Sequence, residues 1–86
     1  MSNSIATVGD LHTHGGVILS GSPNRRINGR PIARRGDMVS CPLHGPNVIE
    51  QVMGLFKVDG EDGAATGDRT RCGAVLIGSA PARVSR

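Results

Sequence analysis

The apolar residues of this chain fall in short runs, and glycine, proline or small polar residues bound each run. Val17-Ile18-Leu19 and Val75-Leu76-Ile77 are typical of these runs. Short apolar segments between turn-forming residues favour β-strands, and we predict no helix. The predicted strands are residues 5–8, 17–19, 25–27, 32–34, 48–53, 55–58 and 74–77, with loop or extended chain at 59–67 and from about 80 onward.

A Gly-Asp pair recurs three times, and a residue that can ligate a metal follows five positions after each glycine. The pairs and their ligand-type residues are Gly9-Asp10 with His14, Gly36-Asp37 with Cys41, and Gly67-Asp68 with Cys72. The copies are spaced by 27 and then by 31 residues, both for the pairs and for the ligand-type residues. Self-similarity of this kind indicates three related passes of one structural unit, the last of them truncated.

Two dipeptides indicate where the hairpins of these passes turn. Asn28-Gly29 and Asp59-Gly60 accept positive φ at both central positions of a type I′ turn, so each is predicted to end a β-hairpin. The Gly-Asp and ligand segments must then connect the hairpins at the opposite end, where the three ligand-type residues are expected to converge. Three equivalent ligands around one axis imply pseudo-threefold symmetry in a single chain, and the strands and hairpins predict an all-β fold.

Length and composition indicate a small domain that needs added support. The chain has 86 residues with one Phe and no Trp or Tyr, so we expect one domain, residues 1–86, with a thin apolar core and a short flexible tail from about 80. Domains of this size commonly depend on a metal, disulfides or a partner. No signal-peptide pattern or membrane span is found, which predicts a cytoplasmic protein, and the two cysteines are then more typical of metal ligands or structural thiols than of a disulfide.

The charge of the chain does not indicate a nucleic-acid-binding protein. The net charge of +3 is small for that class, and the arginines come with no aromatic platform on which bases could stack. We therefore interpret the cluster of Arg25, Arg26, Arg30, Arg34 and Arg35 as a solvated face or a protein interface.

Four side chains form a complete candidate metal site. Cys41 and His44 are separated by two residues, a spacing that allows both to bind one ion, while His14 and Cys72 occupy the position of Cys41 in the other passes. Two thiolates and two imidazoles in tetrahedral geometry select zinc, so we predict one structural zinc ion on these four residues.

His12 is a fifth candidate, and it aligns with Val39 and Thr70 in the other passes. We expect it to support the ligands from outside the site or to face solvent, and it is the alternative ligand in place of Cys41. A plainer interpretation treats the histidines as turn residues and the cysteines as small core hydrophobes. Three ligand-type residues at one repeat position favour a common cause instead.

Enzymatic activity is not predicted. A Cys41/His44 nucleophile and base pair would need a third orienting group and an oxyanion hole, and a zinc with four protein ligands has no position for a reacting water. Asp10, Asp37 and Asp68 recur once per pass beside a glycine, which favours a turn or backbone-capping role over acid–base catalysis.

Two stretches of the chain resemble the PAAR-repeat family. They are Gly-Asp-x3-His-Gly-Gly at residues 9–16 and Gly-Ser-Pro-x3-Ile-Asn-Gly-Arg-Pro-x-Ala-Arg-x-Gly-Asp at residues 21–37, and the resemblance covers about residues 5–79. The chain departs from the Pro-Ala-Ala-Arg motif, because Pro31-Ile32-Ala33-Arg34 carries Ile and the next pass has Asp-Gly-Ala-Ala at 62–65. This departure affects core packing and not the ligands.

The resemblance implies a small conical arrangement of β-hairpins with zinc near its tip. Such a cone sits by its broad base on the trimeric VgrG-type spike of a type VI secretion system or a phage-like contractile tail, with separate effector or toxin proteins as further partners. It would be cytoplasmic before firing and then secreted or delivered into the target cell, with only transient membrane penetration. Asn28, Gly29, Asp59 and Gly60 are predicted to contact the spike. The alternative is a small structural-zinc adaptor that binds another protein or a nucleic acid.

Overall fold

The computed structural model describes residues 4–54 and 56–79. This part of the chain contains short β-strands and no helix, which confirms the all-β prediction, and its Cα atoms extend over 37 × 28 × 21 Å. The strands are β1 Leu11–His12, β2 Arg26–Ile27, β3 Arg30–Pro31, β4 Met38–Val39, β5 Asn47–Gln51, β6 Lys57–Val58, β7 Glu61–Asp62, β8 Arg69–Thr70 and β9 Leu76–Ile77.

The strands are shorter than the apolar runs predict, and several lie elsewhere. Residues 5–8, 17–19 and 32–34 form isolated bridges instead of continuous ladders, and β5 ends before the predicted 53. Strands β1, β3, β4, β7 and β8 lie outside the predicted ranges, because each has only two residues and pairs with a distant segment or across a tight turn. A pattern read along the chain cannot show such pairing. The predicted tail from 80 lies outside the described residues.

Six antiparallel segments close into a ring. In order around the ring, Leu11 lies opposite Val17, Ile18 opposite Val39, Met38 opposite Val48, Ile49 opposite Thr70, Arg69 opposite Val75, and Ile77 opposite Leu11 again. Alternate side chains of a strand point to opposite faces. The ring therefore has an inner set of buried side chains, namely His12, Ile18, Val39, Ile49, Thr70 and Leu76, and an outer set beside them.

Three alanines show the pseudo-threefold symmetry directly. The backbone nitrogen of Ala6 donates to the carbonyl of Ala64 at 3.0 Å, Ala64 donates to Ala33 at 2.9 Å, and Ala33 donates to Ala6 at 2.9 Å. Each alanine lies three residues before a Gly-Asp pair and is fully buried. A side chain larger than methyl would crowd this triangle of backbone bonds, which explains why all three passes have alanine at this position. The predicted pseudo-threefold arrangement is confirmed.

The recurring aspartates cap the turns that link the ring to the alanine triangle. One carboxylate oxygen of each accepts a backbone N–H from three residues upstream, from Thr7 to Asp10 at 2.8 Å, from Arg34 to Asp37 at 2.8 Å, and from Ala65 to Asp68 at 2.9 Å. All three aspartates are buried. The capping role predicted from the Gly-Asp repeat is therefore confirmed.

Both predicted hairpin turns are present. Strand β2 pairs with β3 across Asn28-Gly29, and β6 pairs with β7 across Asp59-Gly60. The φ angles are 55° and 80° in each turn, so both central residues lie in the left-handed region that a type I′ turn requires.

The apolar core is divided between the axis and the hairpins. The larger cluster contains Ala6, Ile18, Ala33, Val39, Ile49, Ala64 and Leu76. A second cluster joins Ile5, Ile32 and Val58, with Ile27 and Phe56 packed against it. Ile32, which replaces the alanine of the Pro-Ala-Ala-Arg motif, is 2% exposed in this second cluster. The departure from the motif thus affects core packing, as expected.

Candidate metal centre

The side chains of His14, Cys41, His44 and Cys72 form one compact cluster. One nitrogen or sulfur atom from each lies within 4.8 Å of the other three. The Cys41 Sγ atom is 3.6 Å from His14 Nδ1 and 3.4 Å from His44 Nδ1, and the Cys72 Sγ atom is 3.6 Å from His14 Nδ1 and 3.8 Å from Cys41 Sγ. Two soft thiols and two imidazoles at these separations can bind a single metal ion.

Three of the candidate ligands follow the repeat, and the fourth lies in an insertion that breaks it. His14 and Cys72 precede the valines of their passes by three residues, at Val17 and Val75, whereas Cys41 precedes Val48 by seven. The four additional residues account for the longer spacing of 31, and they lie in the loop that carries His44. The threefold arrangement supplies three equivalent candidate ligands, and the inserted loop adds a fourth.

The inserted loop is held by its own backbone. The nitrogens of His44 and Gly45 both donate to the Cys41 carbonyl, at 3.3 and 2.7 Å. Gly45 has φ of 79°, a value that L side chains rarely adopt, and this conformation turns the chain toward Pro46 and β5. The turn places the His44 ring beside that of His14, with ring centroids 5.2 Å apart.

The surroundings of Cys72 favour its thiolate form. Burial raises the pKa of this thiol, but hydrogen bonds with the Thr70 hydroxyl at 3.1 Å, the Ala74 backbone and Cys41 together hold its pKa below the usual value. Its own backbone nitrogen donates to the Asn47 side chain at 2.9 Å. Because the thiolate is the form that binds a metal, these contacts prepare Cys72 as a ligand.

His12 lies outside the four-residue cluster. Its Nε2 atom is 2.5 Å from the Ser40 carbonyl oxygen, and its Nδ1 atom accepts the backbone N–H of His14 at 3.2 Å. It is only 2% exposed, so it does not face solvent. Both ring nitrogens contact backbone groups in this conformation. His12 therefore joins the segments that carry His14 and Cys41.

The four residues predicted to bind a partner lie at the hairpin turns, and they differ in what they contact. Asp59 accepts hydrogen bonds from the Ser22 hydroxyl and from the Asn24 side chain, the latter at 3.4 Å, and lies 3.6 Å from the Arg34 guanidinium. Asp59 therefore fixes its hairpin turn to the neighbouring pass. The arginine cluster is partly paired as well, through Arg30 with Asp10 at 2.7 Å and Arg34 with Asp37 at 3.1 Å.

The sequence did not identify the residues that position the ligands. Asn47, Ser40 and Thr70 contact the site region through single hydrogen bonds, and nothing in their local sequence marks them as part of a metal centre. Only the repeat alignment, which equates Thr70 with His12, gave a signal that this position lies beside the ligands.

Comparison with known proteins assigns the family. The family model described as PAAR motif matches residues 8–78, a stretch that includes all four residues of the cluster. A search of the curated proteins found no match. Within the described residues there is also no helix long and apolar enough to cross a membrane. Because the match covers most of the 86 residues, this chain belongs to the PAAR-motif family.

Proposed function

We propose that this protein is a structural cap for the end of a trimeric VgrG-type spike, in a type VI secretion system or a related contractile tail. It narrows the spike so that contraction drives the assembly through a membrane, and no bond is made or cut. In this proposal the chain is cytoplasmic before firing and is then secreted or delivered into the target cell. Separate effector or toxin proteins travel with it.

The observation that carries this proposal is the triangle of Ala6, Ala33 and Ala64. Their cyclic backbone hydrogen bonds give one chain a pseudo-threefold axis. A monomer with such an axis can present similar backbone to each of three identical spike subunits, which a chain without internal symmetry cannot do. Membership of the PAAR-motif family supports the same role.

We propose zinc as the metal, held as one ion by His14, Cys41, His44 and Cys72. A tetrahedral zinc with Zn–S of about 2.3 Å and Zn–N of about 2.05 Å has S–S and S–N edges of about 3.8 and 3.6 Å. The corresponding distances are 3.8 Å between the sulfurs and 3.4 to 3.6 Å from sulfur to nitrogen. The donor set therefore fits zinc closely, and four protein ligands make the site structural.

The base of the cap is proposed to include the turns at Asn28-Gly29 and Asp59-Gly60. Asn28 is the better probe of this surface, because Asp59 also holds its turn to Ser22 and Arg34. Replacing Asn28 by Gly removes the side chain and keeps a residue that tolerates the φ of 55°.

Mixing the zinc-loaded chain with a trimeric VgrG-type protein tests the proposed function. Native mass spectrometry is expected to show one chain per spike trimer, since the cap lies on the threefold axis. Three chains per trimer, or no complex, would contradict the cap and favour an adaptor that binds some other protein or a nucleic acid. Asn28→Gly is expected to weaken the complex and leave the zinc content unchanged, and loss of zinc would show that this turn serves the metal site instead.

A further inference from the structure

Six apolar side chains form a continuous band on the outer face of the ring. This apolar belt consists of Ile77, Leu11, Val17, Leu19, Met38 and Val48. Four of them are strongly exposed, Leu11 at 54%, Leu19 at 52%, Ile77 at 49% and Met38 at 40%. The two valines are half-buried. Exposed apolar patches of this extent on a small domain mark interaction sites.

The strand register shows that the belt is continuous. Ile77 lies opposite Leu11, and Leu11 lies opposite Val17. Val17 and Leu19 are two residues apart on one extended segment and so point to the same face. The Leu19 nitrogen donates to the Met38 carbonyl at 2.8 Å, and Met38 lies opposite Val48. Directly opposite side chains on one face of a sheet are in contact range, so each member of the belt lies within reach of the next.

The belt covers two of the three sides of the ring, and the third carries charges together with the half-buried Val75, which lies opposite Arg69. The position of Leu11 and Met38 in the repeat is taken by Arg69, and the position of Leu19 and Ile77 is taken by Glu50. Arg71 follows on the same segment, and its backbone bonds to Val48 at the end of the belt. Arg71 pairs with Glu50 at 3.0 Å, while Arg69 makes no ion pair among residues 4–54 and 56–79. The third side thus carries an excess of positive charge.

One of the two apolar sides is also concave. A groove of about 370 Å³ lies between Gly16, Val17 and Leu19 on one wall and Pro42, Gly45 and Pro46 on the other. The second wall is the inserted loop that carries His44, and no other pass has this loop. Among residues 4–54 and 56–79, only this side of the ring therefore has the inserted loop as a second wall. Its volume is sufficient for a large apolar side chain.

The geometry points to a docking surface for one polypeptide partner per chain, with an apolar segment on the belt, one large apolar side chain in the groove, and an acidic residue facing Arg69 or Arg71. A surface built for the threefold spike would repeat on all three sides, whereas this one is interrupted and has a single groove. An apolar centre with a basic margin fits a partner with an apolar centre and an acidic margin. The docking surface would hold one of the separate effector or toxin proteins that travel with the cap, and this biological role rests on the proposed function. The binding itself does not.

Selection from a random peptide library tests this surface directly. A phage-displayed library of short peptides is selected on the immobilised zinc-loaded protein, and recovered peptides are measured by fluorescence anisotropy. Leu19→Asp places a charge in the belt beside the groove, with Leu19→Ser as a milder second variant. Met53→Asp is the matched control, because Met53 is 71% exposed and lies outside the belt. Zinc content and spike binding of each variant establish that it is folded.

Selected peptides are expected to share a large apolar residue with nearby acidic residues. Their affinity should fall by about tenfold or more in Leu19→Asp and remain unchanged in Met53→Asp. Arg69→Glu should also weaken peptide binding, because it replaces a positive charge that faces the acidic residues of the peptide. Selection with no shared sequence, or equal binding to Leu19→Asp, would overturn the inference. Binding to phosphatidylcholine and phosphatidylglycerol vesicles that is lost in Leu19→Asp would assign the belt to lipid instead. If Leu19→Asp still binds the spike, a negative peptide result or a lipid result counts against the docking surface and leaves the proposed cap function intact.

Discussion

The Nδ1 atom of His12 accepts the backbone N–H of His14 at 3.2 Å, while its Nε2 atom lies 2.5 Å from the carbonyl of Ser40. One buried ring therefore joins the segment of His14 to the residue before Cys41. Since an atom that accepts an N–H cannot carry a proton, Nδ1 is unprotonated and Nε2 donates to Ser40. The imidazole of His12 holds the segments of two candidate ligands in place, and both of its nitrogens contact backbone groups in this conformation.

We expect His12→Ala to keep one metal ion per chain but to bind it about 10- to 100-fold more weakly, because residues that orient ligands contribute on this scale. Competition with a chromogenic chelator measures the affinity. His14→Ala, which removes a ligand from the same segment, provides the comparison. Complete loss of the ion in His12→Ala, equal to the loss in His14→Ala, would indicate that His12 binds the metal.

The equivalent carboxyls of Asp10 and Asp68 are expected to titrate on opposite sides of the usual value of 3.8. Burial raises the pKa of Asp10, but hydrogen bonds from Ser79 and Thr7 together lower this pKa by more than burial raises it. The net shift of the pKa is therefore downward. Burial also raises the pKa of Asp68, and the backbone bonds from Ala65 and Met53 do not offset it.

The signs of these shifts determine two effects on stability. Asp10 stabilises the fold at pH values above its unfolded pKa, and this contribution is lost as the pH falls through its lower folded pKa. Asp68 is favoured in its protonated form, so its contribution is present at low pH and is lost as the pH rises through its raised folded pKa. Carbon-13 NMR of the carboxyl groups measures both midpoints, with Asp68→Asn for assignment. Equal midpoints would contradict the described hydrogen bonding.

A methyl group at Gly16 is expected to be strongly destabilising. It would overlap the Ser40 carbonyl oxygen and would lie 2.6 Å from His12 Nε2. We expect Gly16→Ala to lower the free energy of unfolding by about 3 kcal/mol or more, which denaturant titration of the metal-loaded protein measures. Gly29→Ala is the control, because a methyl group at Gly29 would meet no neighbouring atom. Its only cost is the backbone strain of an alanine at a φ of 80°, about 1–2 kcal/mol. Equal effects would show that the close approach at Gly16 is not required.

The buried hydroxyl of Ser22 is expected to stabilise the β6–β7 hairpin, which turns at Asp59-Gly60, without affecting metal binding. It donates to Asp59 and accepts the backbone N–H groups of Asn24 and Arg25 at 3.0 and 2.9 Å. Ser22→Ala leaves these partners without the hydroxyl, so we expect a loss of about 1–3 kcal/mol in the free energy of unfolding. Zinc content should remain at the wild-type level, and a loss of zinc would show that the two regions are coupled.

The repeat made the symmetry, the turns and the candidate ligands predictable. A Gly-Asp pair or an Asn-Gly turn depends on backbone conformations that few residue types adopt, so each leaves a local signature at Asp10, Asp37, Asn28 and Asp59. The ligands could be aligned because the same turn places His14, Cys41 and Cys72 near the axis.

The strand bounds and the supporting contacts were not predictable in the same way. A two-residue strand such as β8 forms because its partner β5 lies beside it, and this pairing follows from closure of the ring. The role of Asn47 depends on the inserted loop bringing it to the Cys72 backbone, 25 residues away. The apolar belt is likewise visible only once the register places Ile77 beside Leu11 and Leu19 beside Met38.

Elemental analysis of the purified chain after dialysis against a weak chelator tests the central claim that four side chains hold one structural zinc. The wild type and Met53→Asp are expected to contain one zinc per chain, and His14→Ala, Cys41→Ala, His44→Ala and Cys72→Ala are each expected to lose it and to unfold more readily. A well-folded wild-type chain without metal, or full zinc retention in any of the four variants, would contradict the account.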